Sequence, residues 1–166
     1  MDARQGYHQV AVRKIDREKL AFFAPDDLKY CFNVMPFGPT NAPPFYTAMM
    51  KNLKDEWDKL FIIRVVALKR HDDALITLTA ANEIMIGNKL LVSGSKTIID
   101  DILLWCACKK LVMVYFECVC EVFKKYSVIF RIDRCEFLKK IVEYVGHDLT
   151  LTGNVPEKFK FIMIYG

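Results

Sequence analysis

Asp100 and Asp101 are adjacent carboxylates set between β-prone apolar runs, Ile98-Ile99 on one side and Ile102-Leu103-Leu104 on the other. Ionised carboxylates inside a buried strand are very costly. The pattern therefore predicts a hairpin tip, where the acids meet solvent or a cation. The same pair is also ordinary turn chemistry. What favours a cation is Asp2, just ahead of another strand-like run. Two such strands side by side would gather three carboxylates, which repel one another unless divalent ions neutralise them. Hard oxygen donors select Mg²⁺ or Mn²⁺. Two such ions roughly 4 Å apart stabilise the attacking and leaving oxygens of a phosphoryl transfer.

Two other groupings compete. His71-Asp72-Asp73 looks like the His-Asp pair of helical metal phosphohydrolases, but those need further His and Asp residues at helical spacing. The other histidines, His8 and His147, stand in strand-like segments, so the triplet reads as a solvated turn. Cys106/Cys108 and Cys118/Cys120 form two C-x-C pairs. The second pair falls in a helical pattern, where i and i+2 point to different faces. The cysteines thus read as buried thiols of a reducing, intracellular setting, cytoplasmic rather than secreted, and not as a zinc site.

The elements that must position these groups follow from periodicity and turn residues. Tyr7 to Val12, Leu20 to Phe23 and Lys29 to Val34 read as strands, with Pro25-Asp26-Asp27 as a turn between the last two. Met35 to Asn41, with two prolines and a glycine, is a loop; Thr40 or Asn41 can cap the helix that follows. Phe45, Met49, Leu53 and Trp57 recur every four residues as one buried helix face. Arg64 to Leu68 fits a strand, and Ala74 to Ile86 fits a helix or a strand pair. Thr97 to Trp105 is strand, acids, strand. Lys109 to Tyr126 is a helix whose Leu111, Tyr115, Cys118, Val122 and Tyr126 share a face. Val128 to Ile132, Ile141 to Val145 and Leu149 to Thr152 read as strands, the last closed by Gly153-Asn154, and Pro156-Glu157 opens a final helix. This order predicts an α+β fold with helices on one face of an antiparallel sheet.

The apolar fraction, 53%, is rich for a free-standing domain of 166 residues and implies some apolar surface made for neighbours. The most apolar stretch, Ile98 to Phe116, is cut by Asp100-Asp101 and Lys109-Lys110, so no membrane span is expected. The start of the chain lacks the apolar core of a signal peptide. The net charge of +4 is too mild to demand a nucleic-acid partner. Between Lys109 and Lys140, however, eight Lys/Arg stand against four Asp/Glu. That excess reads first as a solvated helix face and second as a track for phosphates.

Several blocks together resemble the reverse transcriptase of gypsy-type long-terminal-repeat retrotransposons. Asp2-Ala3-Arg4-Gln5-Gly6-Tyr7-His8-Gln9-Val10 is similar to D-x-x-x-G-Y-H-Q-I, and Lys19-Leu20-Ala21-Phe22 to K-T-A-F. Val34 to Pro43 is close to V-M-P-F-G-L-x-N-A-P. Ile98-Ile99-Asp100-Asp101-Ile102-Leu103 stands where the family has Y-x-D-D-I-L. Arg134-Cys135-Glu136-Phe137 and Val142 to His147 resemble K-C-x-F and V-x-Y-L-G-H. The resemblance implies a polymerase palm-like sheet with part of the fingers over residues 1–166, and template-directed DNA synthesis on a primer 3′-OH. It implies that Asp2, Asp100 and Asp101 hold two Mg²⁺ or Mn²⁺ ions. Ala3, Gly6, Tyr7, Phe37 and Gly38 would face the deoxynucleotide triphosphate, with the Tyr7 ring screening out a 2′-OH. Val145, Gly146 and His147 would form the primer grip. The implied partners are an RNA or DNA template with its primer and the remaining polyprotein domains: the rest of the fingers, the thumb and RNase H.

Three departures qualify what the resemblance implies. Ile98 replaces the tyrosine of Y-x-D-D. Residues 62–96 lengthen the path from helix to acids, as a lineage-specific insert would. The chain also starts at the first acid and stops just after the primer grip, so little synthesis is expected of it alone. The competing expectation is a non-catalytic retroelement remnant with weak nucleic-acid binding.

Overall fold

A computed structural model describes residues 5–144, 147–150 and 153–155. It is an α+β arrangement of two α-helices, short 3-10 turns and antiparallel strands.

Helix α1 spans Ala42–Ala67. Pro43 and Pro44 fall in its first turn, where a missing N–H costs nothing. It ends where Lys69 turns left-handed at φ 55°. The buried stripe is Tyr46, Met50, Leu53, Trp57, Phe61 and Val65. The four-residue row starting at Phe45 is therefore corrected: Phe45 is exposed and Met49 only half-buried. A strict four-residue step drifts by about 40° per step around a helix of 3.6 residues per turn. The 4-3-4-4-4 spacing of the observed stripe stays on one face. The helix also absorbs Arg64–Ala67, part of the segment expected as a strand. Phe61 and Val65 continue its buried face there, so packing overrides the β-branched preference.

Helix α2 spans Lys109–Lys125. Leu111, Tyr115, Cys118 and Val122 are buried as expected, joined by Val112, Val119 and Phe123. Tyr126 is instead half exposed and hydrogen-bonds Glu56. The two helices pack together through Phe61 stacked on Tyr115 at 4.0 Å and Trp57 edge-on to Phe123 at 5.7 Å.

Among the described residues the strands form four small antiparallel sheets rather than one. β1 (Ala21–Phe23) pairs with β2 (Lys29–Cys31) across the expected Pro25-Asp26-Asp27 turn. β3 (Arg70–His71), β4 (Ala74–Leu78), β5 (Ile84–Ile86) and β6 (Lys89–Leu90) form a meander. This resolves the ambiguity over Ala74 to Ile86 as a strand pair. β7 (Ser93–Ile98) pairs with β8 (Asp101–Cys106). β9 (Val142–Tyr144), β10 (His147–Thr150) and β11 (Gly153–Val155) make a three-stranded sheet. Gly153 and Asn154 belong to β11, paired with Thr150 and Leu149, so they do not close the hairpin as expected. Val128 to Ile132 contains no strand beyond one bridge residue, and Ile132–Arg134 is a 3-10 turn. The expected helix from Pro156 lies outside the described residues.

β7–β8 is the centre of the arrangement, because strand alternation gives it two apolar faces. Ile102, Leu104 and Cys106 join the core of α1 and α2. Leu103, Ile98 and Trp105 pack with Val142 and Leu149. Both helices thus lie against the same face of this hairpin. Gly94 is opposite Trp105, and any Cβ there would collide with the indole ring. Only glycine lets the ring lie across its partner strand.

Residues 62–96 run from α1 through β3–β6 into β7. The first belong to α1 and the last to β7, and the separate piece is the meander β3–β6.

Candidate active site

Asp100 and Asp101 sit at the tip of β7–β8, as their spacing predicts. Ile98 and Asp101 are the last pair of the ladder, leaving Ile99 and Asp100 as a two-residue turn. Ile99 has φ 55°. A positive φ at the first central position is the requirement of a type II′ turn, normally met by glycine. For a β-branched residue it is strained, by about 1–3 kcal/mol. Both aspartates are half-buried and engaged in polar interactions. By alternation Asp101 shares the face of Leu103, the one against which Val142 packs.

The hairpin is held from below by one carboxylate. Asp58 of α1 accepts hydrogen bonds from Ser95 Oγ of β7 at 2.6 Å and from Tyr115 Oη of α2, and pairs with Lys54 Nζ at 2.6 Å. Trp57 Nε1 donates to Ser95 Oγ at 3.1 Å. Burial, with the Asp58 charge beside it, pushes the Tyr115 phenol far above its ordinary range, so it remains a donor. No single motif announces this network, because its members are spread over 62 residues of sequence.

A second grouping lies at the amino-terminal end. Tyr7 to Val12 is not the expected strand. Gly6–Gln9 is a 3-10 turn that starts after Gln5 at φ 50°, followed by a single Ala11–Val34 bridge. A strand would send residues 7 and 8 to opposite faces. The turn instead brings both rings to Phe37, with centroids at 5.1 Å for Tyr7 and 5.4 Å for His8. Tyr7 also meets the buried Tyr46 ring at 5.1 Å. Gly6 is buried, and a Cβ there would come within 2.5 Å of Tyr46 Oη. Gly38, at φ 112°, has open space around it, and Phe37 is exposed. The structure thus brings the buried Gly6, the half-buried Tyr7 and the exposed Phe37-Gly38 loop into one aromatic shelf. The same segments border a mainly apolar cavity of about 480 Å³, lined by Val10, Val12, Leu20, Met35, Pro39 and Phe45.

Asp2, Ala3, Val145 and Gly146 lie outside the described residues, and of His147 only its place in β10 is described. Among the described residues no group of three or more candidate ligands could hold a metal ion. The donor chemistry of Asp100 and Asp101 fits a hard divalent cation, with a third carboxylate to come from elsewhere.

Other sequence candidates settle differently. His71 is not a solvated residue: its side chain is 10% exposed and lies 3.0 Å from Cys108 Sγ. Within Lys109–Lys140, Lys110, Lys125, Arg131 and Lys139 each pair with a carboxylate. That is the behaviour of a solvated face. No helix among the described residues is long and apolar enough to cross a membrane.

The family model for reverse transcriptase (RNA-dependent DNA polymerase) matches residues 1–149. The chain belongs to the reverse transcriptase family, a class of template-copying polymerases that use nucleic acid and deoxynucleotides.

Proposed function

We propose that this chain is the palm, with part of the fingers, of a gypsy-type long-terminal-repeat retrotransposon reverse transcriptase. Its reaction joins a deoxynucleotide to a primer 3′-OH, which attacks the α-phosphate in line while pyrophosphate leaves. The observation that carries the reading is Asp100-Asp101 at the tip of a hairpin packed on both faces, in a chain of this family. Asp2, Asp100 and Asp101 are the residues that would hold two Mg²⁺ or Mn²⁺ ions. Bound there, the ions supply charge stabilisation of the attacking and leaving oxygens.

The remaining roles fall to the chain itself. Tyr7, backed by Tyr46 and Phe37, is a rigid ring suited to excluding a 2′-OH. Ala3, Gly6, Phe37 and Gly38 complete the nucleotide surface. Val145, Gly146 and His147 form the primer grip. Support for that placement is β9, which packs on the same face of β7–β8 that carries Asp101. The meander β3–β6 is read as the lineage-specific addition.

The test is primer extension on an oligo(dT)-primed RNA template with Mg²⁺ or Mn²⁺, beside an Asp100→Asn, Asp101→Asn variant. Rates are expected to be low, since misplacement by about 1 Å can cost on the order of a hundredfold. Extension lost in the variant supports the reading. Salt-sensitive primer–template binding without extension indicates the non-catalytic remnant. Absence of binding even at low salt removes both.

A further inference from the structure

At the opposite end of β8 from the acids, three side chains line up as nucleophile, base and orienting carboxylate. Cys108 Sγ lies 3.0 Å from His71 Nε2, and His71 Nδ1 lies 3.2 Å from Asp72 Oδ2. Lys110 Nζ holds the other Asp72 oxygen at 2.6 Å. The sequence builds this locally. Asp72 and Asp73 form the two-residue β3–β4 turn, with φ 46° and 64°. Positive φ at both positions is the type I′ turn, which short acidic side chains tolerate. His71, the last residue of β3, is thereby fixed beside Cys108, the residue that precedes α2.

A buried thiol next to a histidine can be mere packing, and Cys106 shows what packing looks like here. It is fully buried, hydrogen-bonded to no imidazole, and burial pushes its thiol up to about 11. Cys108 differs on each structural count. It is only half-buried, it faces a ring nitrogen, and a carboxylate lies 3.2 Å from the other nitrogen of that ring. Nucleophile–base–orienter geometry is the signature of an activated nucleophile.

We propose that Cys108 is a reactive thiol, activated by His71 and Asp72, and that it is a site of oxidation by hydrogen peroxide. The Sγ proton passes to His71 Nε2, and the Asp72 carboxylate, 3.2 Å from Nδ1, stabilises the imidazolium that forms. The sulfur electron pair forms an S–O bond to one peroxide oxygen and the O–O bond breaks. The departing hydroxide takes the imidazolium proton and leaves as water. Sulfur is oxidised by two electrons to a sulfenic acid, and peroxide is reduced. β8, from Asp101 to Cys106, separates the thiol from the acids by about 17 Å. This chemistry therefore stands apart from the polymerase site.

The experiment is residue-resolved mass spectrometry on the folded full chain at pH 7, with limiting iodoacetamide in one arm and hydrogen peroxide plus a dimedone trap in the other. Cys31, exposed on β2, is the internal reference. Cys108 is expected to react at least about threefold faster than Cys31, although it is the less exposed. His71→Asn is expected to bring Cys108 to or below the Cys31 rate. Continued protection of Cys106 and Cys118 reports that a variant is folded; if His71→Asn exposes them, Asp72→Asn replaces it, with the same direction expected. Cys108 reacting no faster than Cys31 in either arm, or keeping its rate in the folded variants, overturns the proposal.

Discussion

Asp58→Ala should loosen the hairpin that carries the acids without touching them. Two buried donors lose their acceptor. Tyr115, 2% exposed, is left with no carboxylate for its hydroxyl, and Ser95, 7% exposed, keeps its contacts with Trp57 and the Tyr115 hydroxyl but not its acceptor. Each unsatisfied buried donor costs about 1–3 kcal/mol. Lys54 adds little, because the pair is about a quarter exposed and water can take the place of the carboxylate. The expected loss is about 3 kcal/mol. Tyr115→Phe removes the donor rather than the acceptor, and Asp58 keeps Ser95 and Lys54, so about 1 kcal/mol is expected. Urea unfolding followed by circular dichroism separates the two. With a slope of roughly 2 kcal/mol/M, Asp58→Ala should lower the midpoint by about 1.5 M and Tyr115→Phe by about 0.5 M. Equal losses, or a midpoint for Asp58→Ala within about 0.25 M of the parent, would mean that the network does not hold β7 to the helices.

Ile99→Gly should relieve the positive φ at the hairpin tip and stabilise the fold by about 1 kcal/mol, read as a higher urea midpoint; a lower midpoint would place no strain at Ile99. Gly6→Ala forces a Cβ against the immobile Tyr46 hydroxyl and should cost about 1–3 kcal/mol, measured in the same way. The raised Tyr115 pKa has a definite sign. The folded state keeps its proton while the unfolded phenol ionises near about pH 10, so this contribution is complete below that pH and is lost as pH rises above it. Tyr115→Phe should therefore lose less stability than the parent between neutral pH and pH above about 10. Mn²⁺ titration by paramagnetic resonance should show binding that Asp100→Asn, Asp101→Asn removes; unchanged binding would place the ion elsewhere.

The acidic tip and the two helices were legible because they rest on strong local signals. Two carboxylates between β-prone runs leave few placements, and apolar residues recurring over several turns mark a helix even where, as at Phe45 and Met49, the buried row lies one residue further on. What could not be read depended on contacts between distant segments. The segment from Phe61 to Val65 extends α1 because Phe61 and Val65 continue a buried face, a matter of partner surface rather than propensity. Tyr7 to Val12 alternates like a strand, yet both rings are drawn to Phe37, 30 residues from Tyr7, and the chain coils to reach it. His71 looked solvated because its neighbours are acids. Its real partner is a cysteine 37 positions away.

Gln9 makes a contact of unusual span. Its side-chain amide donates to the Ile129 carbonyl at 2.7 Å and accepts from the Ile129 N–H at 2.6 Å, imitating a neighbouring strand across 120 residues of chain. Such a contact cannot form until α1, β7–β8 and α2 have brought the two segments together, since closing so long a loop carries its entropy cost before any return. This tie between Gln9 and Ile129 should therefore be among the last contacts of the fold to assemble and among the first to open. Gln9→Glu keeps the acceptor and loses the donor, so the substitution should act chiefly on the unfolding rate and leave the folding rate nearly unchanged. The surface read as selecting the nucleotide, held by Phe37 and Tyr46, would then owe its tie to the segment after α2 to one glutamine.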